Sequence, residues 1–263
     1  MNRYSNYHTH THFCDGADSP EAIVREALRL GCPEIGFSGH SYLPEDTGSM
    51  SPENTAAYRR EILHLREKYA GQIKVLLGIE QDYYSELTQD PWDYRIGSVH
   101  YVQRDGKKYA VDESRDSFIH TVQTVYDGDY YSFAEDYYTL VADVFLHTGC
   151  LIIGHFDLIT KYNEDDALFD SSHPRYRRAA GDALDELAKY DTVLEINTGA
   201  IARGYRKKPY PELWLLNRWL EKGKPVVLSS DCHDKRCLLH GFEEAESFVS
   251  RPELLLFRLP NLK

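Results

Sequence analysis

The sequence has little cysteine, no long apolar run and fewer basic than acidic residues, and each shortage excludes a class of protein. Its five cysteines, an odd number without a CxxC pair, do not indicate a disulfide framework and suit a reducing cytosol. The lack of an apolar run and of a basic-then-apolar leader predicts a cytoplasmic protein without a membrane span. The 30 Lys and Arg residues stand against 42 Asp and Glu, and a net charge of −12 argues against a nucleic-acid surface.

Two common catalytic motifs are also missing. The chain contains neither a GxSxG nucleophile elbow nor a GxxxxGK[ST] phosphate loop, so serine-nucleophile and P-loop mechanisms lack their parts. No internal repeat, low-complexity stretch or linker rich in Gly, Pro or Ser divides the sequence. Because 263 residues suit one barrel-sized unit, we expect a single domain over residues 1–263.

A dense group of metal-ligand residues is present near the N-terminus, in the segment YHTHTHFCDG over residues 7–16. Residues two apart on an extended strand point the same way, so His8 and His10 can bind one cation together. His12 shares that alternation, but we expect the chain to turn there and leave it outside the site. Cys14 and Cys232 could serve as zinc thiolates, yet each adjoins a better-placed ligand, which favours small buried residues.

Later apolar, β-prone runs also end on candidate ligands. Parallel strands that end on such residues are how a (β/α) barrel builds an active site at one face. Any single histidine there is as easily a capping or core residue, but the repetition argues against that interpretation for the whole set. The residues at these strand ends are His40, Glu80, His100, His155, Asp231 and His233.

The alternation of strands and helices predicts a parallel α/β barrel. Seven strands are expected, starting near residues 4, 34, 73, 95, 151, 192 and 225, and an eighth is not visible. Helices are expected over residues 20–30, 52–69, 132–148, 175–190 and 211–222.

Local signals add three further expectations. Ser-Pro pairs at residues 19–20 and 51–52 predict helix N-termini. Residues 102–111 predict a hairpin around Asp105-Gly106. The tyrosine-rich residues 126–131 are expected to pack against the barrel rather than to line the pocket mouth.

The ligand types indicate the chemistry. Imidazole and carboxylate ligands without thiolates suit Zn, Fe or Mn, and the pattern does not choose among them. Glu80 lies at a strand end with histidines on neighbouring strands, where a carboxylate can bridge two cations. Two adjacent metals lower the pKa of a shared water and clamp the oxygens of a phosphoryl displacement. Metal-activated hydroxide is therefore the nucleophile that the sequence supports.

Three residues outside the ligand set are candidates for substrate contact. Arg203 follows the sixth strand into a loop and could hold a phosphate with its guanidinium fork, although a solvated surface arginine is the alternative. Asp157 and Lys161 follow a ligand strand and could orient His155 or contact substrate, and structural roles stay equally open.

The motifs HxHTxxCDG, GxE, GSVH, GHFD and SDCH, in that order over nearly the whole chain, resemble the PHP (polymerase and histidinol phosphatase) superfamily. The stretches DYRIGSVH over residues 93–100, GHFDLI over 154–159 and EINTG over 195–199 are similar to its histidinol-phosphate phosphatase branch. This resemblance implies a distorted (β/α)7 TIM-like barrel that holds three divalent metal ions.

The resemblance also implies a set of metal ligands. Many members of that branch have a histidine where this chain has Gly16, so Asp15 takes the ligand role and a weaker third site is expected. The implied ligands are His8, His10, Glu80 and Asp231 for the first metal, Glu80, His100 and His155 for the second, and Asp15, His40 and His233 for the third.

The implied activity is hydrolysis of L-histidinol phosphate in histidine biosynthesis, with a metal-bridging hydroxide attacking phosphorus in line. Glu80, Asp231 and Arg203 would be catalytic, Arg203 and Lys161 would bind substrate, and Asp231 or a metal-bound water would protonate the leaving alkoxide. The alternatives are another phosphoesterase of the superfamily, acting on a different small ester or on phosphotyrosine, and a non-catalytic metal-binding regulatory module. A small-molecule partner is expected, without nucleic acid or membrane, and the number of subunits stays open.

Overall fold

The computed structural model describes residues 4–249, which form a curled parallel sheet surrounded by helices. Six strands make the sheet in the order β1-β2-β3-β6-β7-β8, with every neighbouring pair parallel, while β4 and β5 form a separate antiparallel hairpin. Positions 1–3 and 250–263 of the predicted domain lie outside the described residues. The strands within residues 4–249 are β1 (Glu34–Phe37), β2 (Lys74–Asp82), β3 (Tyr94–Ser98), β4 (Tyr101–Arg104), β5 (Lys107–Ala110), β6 (Ile152–Ile153), β7 (Val193–Asn197) and β8 (Val226–Ser229).

The predicted first strand is an extended segment that closes the barrel between β8 and β1. It is joined to its neighbours by single parallel bridges, Asn6 to Ile35 on one side and Thr9 to Cys232 on the other. It is not a regular strand because side chains replace ladder partners: the Thr9 N–H donates to Ser38 Oγ at 3.0 Å. With this segment the sheet has the seven positions that the sequence predicts, and the TIM-like α/β fold is confirmed.

The helices cover the outside of the sheet. Two of them begin where the Ser-Pro pairs predict, since Ser19 Oγ accepts from the Ala22 N–H at 3.3 Å and Ser51 Oγ accepts from the Asn54 N–H at 3.2 Å. In the described range the helices are α1 (Pro20–Leu30), α2 (Pro52–Lys68), α3 (Arg115–Val125), α4 (Tyr130–Thr148), α5 (Pro174–Leu187), α6 (Gly199–Ala202), α7 (Leu213–Glu221) and α8 (Phe242–Glu246). Among these residues no helix is both long and apolar enough to cross a membrane.

The region between β3 and β6 confirms one prediction and adds an element. The hairpin turns at Asp105 and Gly106, both with positive φ (51° and 78°), as its turn type requires. Helix α3 was not predicted, because only three of its eleven residues are buried and the apolar period is too sparse. Helix α4 starts two residues before the predicted position, because Asp129 caps it by accepting from the Tyr131 and Ser132 N–H groups.

The barrel interior is filled at its lower end by apolar side chains, which leaves the upper end for polar ones. Tyr94 lies at the centre of this plug and donates from its hydroxyl to the carbonyl oxygens of Tyr7 (2.5 Å) and Phe37 (3.0 Å). A Cβ atom at Gly78 would overlap the Tyr94 ring, so the ring fits only because β2 has no side chain there. The plug consists of Tyr7, Leu76, Tyr94, Ile96, Ile152, Val193 and Val227.

Candidate metal centre

Glu80 lies at the centre of a group of imidazoles at the upper end of the barrel. Its inward position follows from strand alternation, since Gly78 and Leu76, two and four residues earlier, face the plug. The side chain is only 1% exposed, and Ser98 Oγ donates to its Oε1 at 2.6 Å. The histidines with a ring nitrogen within 3.4 Å of its oxygens are His8, His10, His40, His100 and His155.

The two oxygens of Glu80 face different sides of the cavity. Oε1 lies 2.9 Å from His155 Nε2 and 3.4 Å from His100 Nε2. Oε2 lies 3.2 Å from His8 Nε2 and 3.4 Å from His10 Nε2. A carboxylate with separate ligand sets on its two oxygens has the geometry needed to bridge two cations, as predicted for this residue.

Asp15 and His233 extend the group toward solvent. His233 Nε2 lies 3.1 Å from one Asp15 oxygen, and His10 and His40 lie 3.6 Å from the other. At Gly16 an added Cβ would stand 2.5 Å from the Thr11 nitrogen. No side chain fits at Gly16 without a shift of the backbone, and the ligand on this side of the cavity is the neighbouring Asp15.

Asp231 completes the inner part of the group from the end of β8. It adopts a left-handed conformation with φ 48°, which Asp tolerates better than most residues, and its Oδ1 lies 3.2 Å from His10 Nε2. The structure thus brings all nine predicted ligands together, and their role in coordination stays a prediction. They form four overlapping groups that could hold an ion: His10, Asp15, His40 and His233; His8, His155 and Asp231; His8, His10 and Glu80; and His40, Glu80 and His100.

The site has buried polar atoms that protein groups do not satisfy. Among the described residues, His8 Nε2, His10 Nε2, Glu80 Oε2 and His155 Nδ1 are buried without a hydrogen-bond partner. Burying such atoms unpaired costs about 1–3 kcal/mol each. Nitrogen and carboxylate atoms left unpaired around one cavity fit divalent cations, which would satisfy them.

The electrostatics of the site also favour cations. Burial disfavours a charged His8 imidazole, yet the neighbouring carboxylates, Glu195 first, raise its pKa well above the usual value. Burial likewise opposes ionisation of Glu80, but the His8, His40 and His100 imidazoles hold its pKa well below the usual value. For His10, burial and then His233 and His40 lower the pKa to about 3, which keeps this imidazole in the neutral form that metals bind.

Two buried carboxylates behind the histidines were missed by the sequence reasoning. Glu195 accepts from His8 Nδ1 at 2.6 Å, and Asp82 accepts from His100 Nδ1 at 3.1 Å. Each holds a histidine whose other nitrogen faces Glu80. For Glu195 the available signal was an acidic residue inside the otherwise apolar strand β7, whereas Asp82 is the last residue of β2, two positions after Glu80.

A cavity of about 320 Å³ lies above the metal-ligand group, and Arg203 and Lys161 both line it. Arg203 donates through Nη2 to Asp231 Oδ2 at 2.9 Å and through Nη1 to the Asp231 carbonyl at 3.0 Å. Lys161 donates to the Asp112 carboxylate at 3.0 Å. Both cations therefore lie where a bound anion could reach them, and their contact with substrate stays a prediction.

Of the residues that were set aside, Cys14 lies beside the centre, with its Sγ 3.6 Å from His10 Nδ1, but its thiol donates to the Thr11 carbonyl and burial raises its pKa. His12 is exposed and its ring packs on Phe13 at 4.4 Å. The Cys232 thiol donates to the Asp234 carbonyl and burial raises its pKa to about 12, which disfavours a thiolate ligand. Asp157 is fully buried and accepts from the Glu212 N–H at 2.9 Å, so it holds the 206–212 loop rather than the His155 ring.

The chain is similar to known proteins of one family. Residues 6–199 match the PHP domain family. A "Probable histidinol-phosphatase" of Deinococcus radiodurans is 31% identical over 245 residues, which cover 86% of this chain and 85% of that protein. A "Histidinol-phosphatase" of Bacillus subtilis is 27% identical over 263 residues, covering 90% of this chain and 96% of that protein.

A solved structure shares the fold. The crystal structure of histidinol phosphate phosphatase from Lactococcus lactis, in complex with zinc, L-histidinol and phosphate, superposes with a TM-score of 0.72 at 22% identity. The match covers 95% of this chain and 94% of that one.

Proposed function

Because this chain belongs to the PHP domain family, we propose that it is a metal-dependent phosphomonoesterase that hydrolyses L-histidinol phosphate to L-histidinol and phosphate. The observation that carries the proposal is the arrangement of nine ligand side chains around Glu80, in a chain whose curated relatives are histidinol-phosphatases over most of their length. Conversion of this ester would place the enzyme in histidine biosynthesis.

The nine ligand residues would hold the metal ions. We propose three ions, divided among the residues as the family resemblance implies, with Zn, Fe or Mn as the candidates. When bound, such ions lower the pKa of water and neutralise charge on phosphoryl oxygens. The chain itself shields the inner ligands from water: His8 and His10 have no exposed surface, and His155 is 2% exposed.

Arg203 and Lys161 would bind the phosphate. A guanidinium offers two parallel donors to a pair of phosphate oxygens, and a lysine ammonium adds a point charge. Arg203 also acts on Asp231: burial opposes ionisation of this carboxyl, but Arg203 and then His8 hold its pKa well below the usual value. An ionised Asp231 suits a metal ligand better than a proton donor, so the proton for the leaving alkoxide is better supplied by water.

The rest of the cavity suits a cationic leaving group. Beyond the ligands it continues into a second space of about 570 Å³ beside the β4-β5 hairpin, and the two share Asp46, Tyr101, Ala110 and Glu113. The carboxylates of Asp46 and Glu113 lie at this junction, where they would attract the ammonium group of histidinol. The uncharged hydroxyl groups of a sugar phosphate could only donate hydrogen bonds to these carboxylates, without the attraction between opposite charges.

A substrate panel tests the proposal. Purified full-length protein supplied with Mn or Zn is assayed for phosphate release from L-histidinol phosphate, a sugar phosphate, p-nitrophenyl phosphate and a phosphotyrosine peptide. We expect kcat/KM for histidinol phosphate to exceed the others by orders of magnitude. Equal and slow rates on all four would overturn the substrate assignment, and a preference for phosphotyrosine or the sugar ester would favour a different phosphoesterase. No turnover in metal-loaded protein would favour the binding module.

We propose that the phosphatase domain occupies residues 1–263. We propose a cytoplasmic location, because thiols dispersed along the chain suit a reducing compartment. The partner would be the small phosphate ester, without nucleic acid or membrane.

A further inference from the structure

We propose that Glu195 is a positioning residue for the metal centre: it fixes the tautomer of His8 and the placement of His155, and metal affinity depends on it. The inference rests on the proposed metal site and not on which phosphate ester is hydrolysed. It concerns the interior of β7, one layer below the ligands.

Glu195 is fully buried and all its acceptor positions are occupied. Its Oε1 accepts from His8 Nδ1 at 2.6 Å and from the Ser229 hydroxyl. Its Oε2 accepts from the His155 backbone N–H at 2.6 Å and from Asn197 Nδ2 at 2.9 Å. The carboxylate therefore connects the closing segment, the end of β6 and strands β7 and β8.

The two groups that donate to Glu195 Oε2, the His155 N–H and the Asn197 amide, cannot act as acceptors there. A backbone N–H only donates, and the Asn197 amide is oriented because its Oδ1 accepts from the Gly199 N–H at 2.8 Å. With two fixed donors on Oε2 and a hydroxyl donating to Oε1, this side chain acts as an acceptor toward its partners. His8 Nδ1 must therefore carry the hydrogen.

This tautomer decides what His8 offers to the cavity. In the neutral His8 ring, hydrogen on Nδ1 leaves the lone pair on Nε2, which lies 3.2 Å from Glu80 Oε2 and 3.7 Å from Asp231 Oδ1. That nitrogen is one of the buried atoms without a hydrogen-bond partner in the described part of the chain. A histidine held from behind by a carboxylate is a recurring arrangement at metal sites, and it raises the basicity of the ligand.

A Glu195→Gln substitution keeps the shape and removes this function. If the new NH2 replaces Oε2, it meets the His155 N–H and the Asn197 NH2, which are both donors. If it replaces Oε1, it donates to His8 Nδ1 and drives the hydrogen to Nε2, where a metal would bind. Either orientation misplaces a ligand, so we expect metal affinity to fall about 10- to 100-fold.

The chain offers a matched control in Glu34. This glutamate is also buried, but it lies at the opposite end of the barrel, where it accepts from the Tyr7 hydroxyl at 2.5 Å and from Lys74 Nζ at 3.3 Å. Glu34→Gln therefore disturbs a buried carboxylate of the same barrel without touching a metal ligand.

The test measures zinc binding by chelator competition on the metal-stripped full chain, with melting temperatures recorded alongside. Expected are unchanged zinc affinity in E34Q and about 10- to 100-fold weaker binding of at least one ion in E195Q. Wild-type affinity in E195Q, or an equal loss in both variants, would overturn the inference.

If E195Q fails to fold, Glu195→Asp replaces it, since a shorter carboxylate withdraws from His8 while keeping the charge. Weakened zinc binding in folded E195D supports the inference, and wild-type affinity overturns it. Because zinc binding is measured without substrate, a failed substrate panel leaves this test intact.

Discussion

Glu80 shows how much of the site depends on a single side chain, since its two oxygens face five histidines from four separate segments of the barrel. Glu80→Gln keeps the volume but removes the charge that attracts cations from both sides. We expect phosphate release to fall by more than about 100-fold, because even residues that only support metal ligands cost up to that factor. The measurement is steady-state kinetics with metal content determined on the same samples. Near-wild-type turnover in a folded, metal-loaded variant would contradict a central role.

A substitution at Arg203 shows whether phosphate binding needs the two parallel donors of a guanidinium or only a positive charge. Arg203→Lys keeps the cation but loses the paired donors, so kcat/KM for the phosphate ester should fall about 100-fold, as when one transition-state donor is removed. Arg236→Lys makes the same chemical change on a side chain that is 84% exposed and serves as the control. If both variants lose the same small factor, Arg203 is a surface arginine after all.

At the residue scale the candidate metal ligands could be predicted from the sequence, but the carboxylate Glu195 that accepts a hydrogen bond from one of them could not. His100 and His155 were visible because each ends an apolar run, and a barrel directs such residues to one face. Glu195 lies inside its strand, and a sequence does not say whether a mid-strand glutamate faces a neighbouring helix or a histidine across the barrel. Its role depends on His8, 187 residues away along the chain.

At the scale of elements, Asp129 determines where α4 begins. Its carboxylate accepts from two backbone N–H groups and pairs with Arg175 Nη1 at 2.7 Å. Asp129→Ala should lower the free energy of unfolding by about 1–2 kcal/mol, measured by urea denaturation at pH 7, with activity per folded molecule unchanged. A change below a few tenths of a kcal/mol would show that the cap contributes little.

The same carboxylate predicts a pH dependence. Partial burial opposes its ionisation, but Arg175 and the helix N-terminus lower its pKa to about 2, against 3.8 in the unfolded chain. A lowered pKa means that the stabilisation is complete above the unfolded value and is lost as the pH falls through the folded one. The stability difference between wild type and Asp129→Ala should therefore shrink between about pH 4 and pH 2.

Strand β2 carries a second prediction at this scale. At Gly78→Ala the added methyl overlaps the Tyr94 ring, and overpacking of this kind costs about 1–3 kcal/mol. Adding Tyr94→Leu makes room for the methyl, so the double variant should be more stable than the sum of the single changes predicts. Strict additivity in thermal or urea unfolding would show that the two positions do not compete for space.

Helices and turns whose ends carry a clear capping or turn sequence could be predicted, whereas a helix that lacks such a sequence could not. The starts of α1 and α2 follow from Ser-Pro pairs and the hairpin from Asp105-Gly106, all of which act locally. Helix α3 buries only Phe118, Thr121 and Val122, and three apolar or small residues are too few to show a helical period in the sequence.

At the scale of the molecule, metal binding should stabilise the fold. Bringing Glu80, Asp231 and Asp15 together in a protein of net charge −12 concentrates negative charge that cations would neutralise. At an ion concentration of about 100 Kd, binding to one site adds about 2.7 kcal/mol to the free energy of unfolding. Melting curves with excess chelator and with added Zn or Mn should therefore separate by several degrees, and coincident curves would contradict the metal centre.

The barrel closes through its first described residues, and this has a consequence for the order of events in the cell. The segment with His8 and His10 meets Cys232 and Asp231 across the seam, so ligands from both ends of the polypeptide are needed in one place. A nascent chain that is still on the ribosome before β8 emerges has Glu80 beside its first two histidines but lacks Asp231 and His233. We therefore expect the full set of ions to bind only after β8 is made, and a fragment ending before residue 226 should bind zinc more weakly than the full chain in chelator competition.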